Sequence, residues 1–319
     1  MTTHRAFCGI LLLLAALIGM RPTPALAQAL ALAQAGPIEV EHERGTLRLD
    51  APAKRVATIN WSFTESVIAL GLDPVAIADP EDYAKWVAKP ELPADFLNLG
   101  QRSSPNLEVL RKAKPDLIIT IPDIGLAYEK LAEIAPVLEL SLFDENRPAF
   151  ETARDVFGKI AKAIGREDAA QTYLAEVDRK LIDYGTRIKN ALGTGQKINV
   201  VYFFDESNIG IFGDTSLPGS VLGAMGLPVA YKGDVNKWGF ARGGLELLAP
   251  YARESVVYTN PVPKVVLDKL WHSPIWNVMD FVRNKRVYEL PVVWAYGGVP
   301  SGLRFAQLLA ESIENGPVK

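Results

Sequence analysis

Short apolar runs alternate with helical patterns from residue 55 onward. Arg55-Val56-Ala57-Thr58-Ile59-Asn60 predicts a buried strand, and Ser62 to Leu70 a helix ended by Gly71. Pro74-Val75-Ala76-Ile77-Ala78 and Leu97-Asn98-Leu99 predict further strands, and Leu107 to Lys114 a helix. Pro115 to Ile121 reads as a buried strand, Tyr128 to Ile134 as a helix, and Val137-Leu138-Glu139-Leu140 as a strand. The strands are continuously apolar rather than alternating, which favours a mainly parallel sheet covered on both faces.

From Ala149 to Leu192 the period becomes helical throughout. Phe150, Val156, Phe157, Ile160 and Ile164 carry it first, then Ala170, Tyr173, Leu174, Val177 and Leu181, with Gly165-Arg166 able to divide it. After Gly193-Thr194-Gly195 the α/β pattern restarts. Strands are predicted at Lys197 to Phe204, Ile209 to Phe212, Ser255 to Tyr258 and Arg286 to Leu290, with helices at Leu217 to Met225 and Gly302 to Ile313. The expected fold is therefore α/β: two α/β lobes with mainly parallel sheets, joined by one long interdomain helix, with a ligand cleft between them. The expected boundaries are a first lobe over 36–148, a helical segment over 149–192 and a second lobe over 193–319. A helical crossing resists the wide hinge closure that flexible strand linkers allow.

The N-terminus reads as a secretory signal over residues 1–27. His4 and Arg5 form a weakly basic start, Ala6 to Met20 is almost wholly apolar, and Ala25-Leu26-Ala27 fits a cleavage site. The apolar run is short for a membrane span of about 20 residues. Cys8 is the sole cysteine and lies inside this segment, so the mature chain is expected to hold no disulfide and no thiolate metal site. Removing Arg5 and Arg21 from the 34 basic residues leaves 32 against 37 acidic, a net charge of −5. That argues against nucleic acid as a partner. A soluble, monomeric, periplasmic product is expected.

The chemistry that is missing narrows the function. His42 and His272 are the two histidines of the mature chain and lie far apart, so neither a multi-histidine metal site nor Ser-His-Asp catalysis is readily assembled. His42 is expected to be exposed, and His272 to pack or cap. No nucleophile elbow, P-loop or dinucleotide fingerprint occurs. No catalytic residue, protein-bound metal or cofactor is therefore expected.

What remains is one arginine and a set of aromatics. In Gly100-Gln101-Arg102-Ser103-Ser104-Pro105-Asn106-Leu107-Glu108, Ser104 fits an N-cap, Pro105 the first helical position and Glu108 the first turn. Arg102 then lies at the carboxyl end of a strand, where open α/β sheets bind ligands. Trp86, Trp238, Trp294 and Tyr296 lie in loop-like segments of both halves, and Trp61 directly follows the first buried strand. Such aromatics with one or two polar anchors suit a bulky, partly apolar small molecule. Trp271 and Trp276 share a helical pattern with Leu267, Leu270 and Met279 and read as core.

These residues resemble the periplasmic ferric-hydroxamate siderophore-binding proteins of ABC importers, over about Arg55 to Ile313. The most specific pieces are Tyr83-Ala84-Lys85-Trp86-Val87, the Arg102-Ser103-Ser104-Pro105-Asn106-Leu107-Glu108 element, Lys237-Trp238-Gly239 and Val293-Trp294-Ala295-Tyr296-Gly297. The resemblance implies that Arg102 donates to the hydroxamate oxygens around Fe³⁺. It implies that Trp86, Trp238, Trp294 and Tyr296 wall the pocket, with Trp61 a weaker candidate. The iron would arrive already chelated, and the permease would dock on Glu129 and Glu246. One departure stands out: Ile124 occupies the position of a second polar anchor, usually tyrosine, and the adjacent Asp123 suggests a siderophore carrying a cationic amine. The alternatives are the same fold binding a catecholate siderophore, haem or cobalamin, and a secreted α/β enzyme with a carboxylate-based cleft site. A purely structural extracytoplasmic module is a further alternative, but it would not need tryptophans gathered in loops from both lobes.

Overall fold

The computed structural model describes residues 37–122, 128–144 and 147–318. The expected signal segment, with Cys8, lies outside them, as do Asp123 and Ile124. Residues 37–319 form one compact unit.

The described residues begin with a hairpin of β1 (Ile38–His42) and β2 (Gly45–Leu49), ahead of the first strand expected from the sequence. The first sheet follows: β3 (Val56–Thr58), β4 (Ala76–Ile77), β5 (Leu97–Asn98), β6 (Leu117–Thr120) and β7 (Val137–Glu139), in the order β5-β4-β3-β6-β7 and parallel throughout. Its crossovers are α1 (Trp61–Ala69), α2 (Pro80–Trp86), α3 (Leu107–Ala113) and α4 (Tyr128–Ala132). β3 and β6 are buried on both faces, and their side chains are apolar up to the closing Thr58 and Thr120.

Two long helices come next, α5 (Ala149–Ala163) and α6 (Glu167–Leu192). Gly165, with φ +65°, breaks them apart, and a Cβ there would lie 2.8 Å from Pro52. The second sheet holds β8 (Ile198–Phe203), β9 (Asn208–Phe212), β10 (Phe240–Gly244), β11 (Ser255–Thr259) and β12 (Val287–Leu290), ordered β10-β9-β8-β11-β12. Its β8, β11 and β12 are parallel, while β9 runs antiparallel to both neighbours. The edge strand β10 was not expected: Phe-Ala-Arg-Gly-Gly shows no period and is held as a strand by its pairing with β9. The helices of this half are α7 (Leu217–Ala224), α8 (Lys264–His272), the single turns α9 (Pro274–Asn277) and α10 (Asp280–Arg283), and the closing α11 (Val299–Asn315). A short 3-10 helix spans Leu245–Tyr251.

One core cluster runs through both halves. Phe63 and Val67 of α1, Phe157 and Ile160 of α5, Leu181 and Ile188 of α6, and Leu309 and Ile313 of α11 are all buried in it. Trp276 is fully buried in a separate cluster beneath the second sheet, with Trp271 half-buried against it, as the periodicity implied.

A buried carboxylate also ties α1 to α11. Glu65 is fully buried and accepts a hydrogen bond from the Gly298 backbone N–H and one of 2.6 Å from Ser301 Oγ. Gly298 is the N-cap of α11, so the acid sits at the positive end of that helix. Ser62 Oγ donates to the Tyr296 carbonyl, 3.1 Å away. The loop carrying Trp294 and Tyr296 is thereby pinned onto the start of α1.

Candidate functional site

The parallel strands of both sheets point their carboxyl ends at one cleft. Asn60 follows β3, Arg102 follows β5, Ile121 and Pro122 follow β6, and Trp294 and Tyr296 follow β12. This is the edge at which α/β sheets offer loops and helix starts to a ligand.

Arg102 is set by three neighbours. Its backbone N–H and its Nε each donate to Asp79 Oδ2, both at 3.0 Å. Its guanidinium lies over the Trp61 ring, with Cζ 3.5 Å from the centroid. Neither Nη atom hydrogen-bonds another of the described residues. The turn differs in detail from expectation. Ser104 and Pro105 precede the helix, and Asn106 is the N-cap, its side chain accepting from the N–H groups of Glu108 and Val109. An asparagine carbonyl at that position reaches two orphan donors, whereas Ser104 lies too far back.

From Trp61 a continuous arc of rings crosses the cleft. Trp61 meets Trp294 edge-on with centroids 5.0 Å apart, Trp294 meets Tyr296 at 5.3 Å, and Tyr296 meets Phe240 at 6.2 Å. Phe240 stacks with Trp238 at 6.3 Å. Trp86 joins the arc by an edge contact with Trp294, 6.4 Å between centroids. Burial pushes the Tyr296 hydroxyl up to about 12, with Tyr202 nearby adding to the effect, so it stays protonated and able to donate.

The arc borders two cavities at Trp294 and Tyr296, and at Trp238 it also borders a third of about 420 Å³, shared with Phe143, Asp144, Arg147 and Lys237. The larger of the first two, about 650 Å³, is lined by Asn60, Ile121, Pro122, Ser141, Phe143, Lys237, Trp238, Phe240, Trp294 and Tyr296. Among these residues Lys237 alone is charged, and its Nζ lies 4.9 Å from the Trp238 centroid. The smaller, about 250 Å³, adjoins Trp86, Trp294 and Tyr296. The six residues singled out thus take different places. Trp238, Trp294 and Tyr296 line the main cavity, and Trp86 lines the smaller one. Trp61 is 2 % exposed and backs Trp294, while Arg102 stands beside Trp61 rather than on either lining.

Two positions differ from the loop assignment. Trp86 is the last residue of α2, not a loop residue, because Pro80 and the acids Glu81 and Asp82 start a helix there. Trp61 opens α1, with Asn60 capping that helix. The sequence assigned no role to Phe240, Phe143 or to Lys237 of the Lys237-Trp238-Gly239 element. Phe240 stood in the run Lys237-Trp238-Gly239-Phe240, but its strand carries no alternation.

Glu129 and Glu246 are exposed, at the start of α4 and in the 3-10 helix after β10. Glu246 Oε1 accepts the Gly244 N–H at 3.1 Å. His42 is half-buried in β1 rather than exposed, and its Nδ1 accepts the Glu139 N–H at 3.3 Å. Burial lowers its pKa, against the pull of Glu139. His272 Nδ1 lies 2.6 Å from the Asp268 carbonyl in the last turn of α8, the capping role expected of it. Among the described residues no three His, Cys, Asp or Glu side chains gather as a metal site, and no helix is long and apolar enough to cross a membrane.

The comparisons agree with this geometry. A family profile described as periplasmic binding protein matches residues 56–293. The iron(3+)-hydroxamate-binding protein FhuD of Escherichia coli is 30% identical over 260 residues, 81% of this chain and 86% of that protein. The Fe(3+)-citrate-binding protein YfmC of Bacillus subtilis is 28% identical over 254 residues, 78% of this chain and 77% of that one. Among solved structures, the siderophore-binding protein FhuD from Vibrio cholerae, bound to Fe³⁺-Desferal, superposes with a TM-score of 0.77. It is 30% identical, covering 83% of this chain and 99% of its own. With a two-lobed α/β fold, strand ends facing a shared aromatic cleft, and a profile match over most of its length, the chain belongs to the periplasmic binding protein family.

Proposed function

We propose that this protein captures ferric hydroxamate siderophores outside the cytoplasm and delivers them to the permease of an ABC importer, catalysing no reaction. The observation that carries this reading is the arc from Arg102 through Trp61, Trp294, Tyr296 and Phe240 to Trp238, drawn from both halves of the molecule. A ferric hydroxamate is a bulky chelate with delocalised negative oxygens and an organic skirt. One guanidinium with two unengaged Nη groups matches those oxygens, and a wall of rings matches the skirt. The iron comes already coordinated, so the protein needs no metal ligands of its own. A highly anionic citrate or catecholate complex would call for several basic groups.

In this reading Arg102 is the polar anchor. Trp86, Trp238, Trp294 and Tyr296 are walls, and Trp61 is the plate on which Arg102 lies. Glu129 and Glu246 are the permease contacts, one exposed acid in each half. The binding protein acts as a monomer in the periplasm.

The test is a titration of intrinsic tryptophan fluorescence with ferric siderophores of the hydroxamate, catecholate and citrate classes. Hydroxamates should quench Trp86, Trp238 and Trp294 at low micromolar concentration or below. Quenching by ferric citrate or a catecholate, with none by any hydroxamate, would overturn the ligand class.

A further inference from the structure

We infer that the smaller chamber beside the main cavity receives an apolar arm of the siderophore and so selects among ferric hydroxamates; this rests on the ferric-hydroxamate reading above. The chamber has a volume of about 250 Å³, and Phe240, Trp294 and Tyr296 are walls both of it and of the larger cavity. A ligand seated against those three rings in the larger cavity is therefore adjacent to the smaller one.

The rest of its lining is largely apolar. Tyr202, Phe204, Phe212 and Ala295 supply carbon surface, and no charged side chain contributes. Asn260 is the one amide, and its groups are taken. Nδ2 donates to Glu289 Oε1 at 2.6 Å and to the Leu290 carbonyl at 3.1 Å, while Oδ1 accepts the Val262 N–H at 3.0 Å. Beyond the hydroxyls of Tyr202, Thr259 and Tyr296, a polar arm would find little to bind. Phe204 is 39 % exposed at the end of β8, although an aromatic ring gains by burial. It is held there by the Tyr202 ring edge, 5.1 Å between centroids, and by Arg242, whose Cζ lies 4.3 Å from the ring centroid. Phe204 lines the chamber, and its ring is a ready wall for a carbon chain.

Size completes the assignment. At about 30 Å³ for a water-sized group, the chamber holds on the order of eight carbon atoms. That suits an acyl chain and is too small for a hexadentate ferric chelate, which has the 650 Å³ cavity next door. The occupant is therefore a substituent of the bound siderophore, not a second chelate.

Two ferric trihydroxamates with the same chelating core test this, one with its terminal amine acetylated and one with it hexanoylated. They have equal charge and differ by four methylenes. Each buried methylene tightens binding by up to about fourfold, so wild type should bind the hexanoyl compound at least tenfold more tightly. Ala295→Leu, which fills the chamber from its own wall, should abolish that gain and leave the acetyl compound within about twofold of wild type. Phe204→Ala, a second variant that opens the chamber to water, should cut the gain severalfold. Equal or weaker binding of the hexanoyl compound by wild type, or a gain that survives both substitutions, would overturn the chamber's role with the siderophore reading intact. Failure of the acetyl compound to bind wild type would overturn both.

Discussion

Asp79 Oδ2 accepts two hydrogen bonds from Arg102, one from the backbone N–H and one from Nε. Asp79 itself adopts the left-handed conformation, with φ +49°, and is tied by its N–H to the Gly100 carbonyl at 2.8 Å. Its own carbonyl accepts the Trp61 indole N–H at 3.1 Å. One strained residue therefore fixes both the arginine and the ring on which that arginine lies. Aspartate is among the few non-glycine residues that tolerate this backbone.

Replacing the arginine removes the anchor. Arg102→Ala should weaken ferric hydroxamate binding by about 1.5–3 kcal/mol, the worth of hydrogen bonds from a charged donor. Asp79→Asn keeps the shape but loses the charge that holds Nε, and should weaken binding by a smaller amount. Because both act through one guanidinium, the double variant should fall short of the sum. Additive losses in a fluorescence-titration cycle would show that Asp79 does not act through Arg102.

Glu65 makes the stability of the fold depend on pH. Burial outweighs its hydrogen bonds from Ser301 and Gly298 and pushes its carboxyl from 4.5 up to about 8. Between those values the folded chain holds a proton that the unfolded chain releases. The stabilisation is complete below the unfolded value and is lost as pH rises from 4.5 through about 8, by up to about 1.4 kcal/mol per pH unit. Glu65→Gln mimics the protonated acid and should flatten this slope. Calorimetric melting curves at intervals from pH 5 to pH 8 would check it, and parallel slopes for the two proteins would exclude Glu65 as the cause.

The start of α3 offers a local test. Asn106→Ala removes an acceptor shared by two backbone N–H groups and should destabilise the protein by about 1 kcal/mol. Ser104→Ala should stay within about 0.5 kcal/mol, as for other surface changes that remove no cap. Urea denaturation of both variants decides the matter; a larger loss at Ser104 would move the cap back to it.

On the docking role proposed for Glu129 and Glu246, permease contact should be separable from binding. Reversing the charge at both Glu129 and Glu246 should abolish siderophore-dependent growth in iron-limited cells. The purified double variant should bind the ferric siderophore as wild type does. Reduced affinity in the purified variant would remove docking as the explanation.

Much of the fold was legible along the chain because buried parallel strands leave continuous apolar runs and buried helices a 3.6-residue period. β3, β6, β8 and β11 and the helices α5, α6 and α11 all carried such marks. β1 and β2 carried instead the apolar–polar alternation of a half-buried strand, in Ile38-Glu39-Val40 and Leu47-Arg48-Leu49, and β10 carried neither, being held by its pairing with β9. The helix α2, with only Pro80 and Tyr83 buried, shows no apolar period.

At the cleft, the sequence by itself determined the kinds of group available: one arginine at a strand's end, tryptophans outside the periodic segments, and two histidines too distant to share a metal. Only the tertiary structure decided what those groups face. Asp79 and Arg102 are 23 positions apart, and Trp61 and Trp294 come from different sheets. No local pattern records that the first pair share a hydrogen bond or that the second pair touch. Such contacts depend on where strand ends and helix starts converge, which is settled by packing both halves around α1, α5, α6 and α11. The same packing divided the aromatic cleft into a chamber for a chelate and a smaller one for its arm.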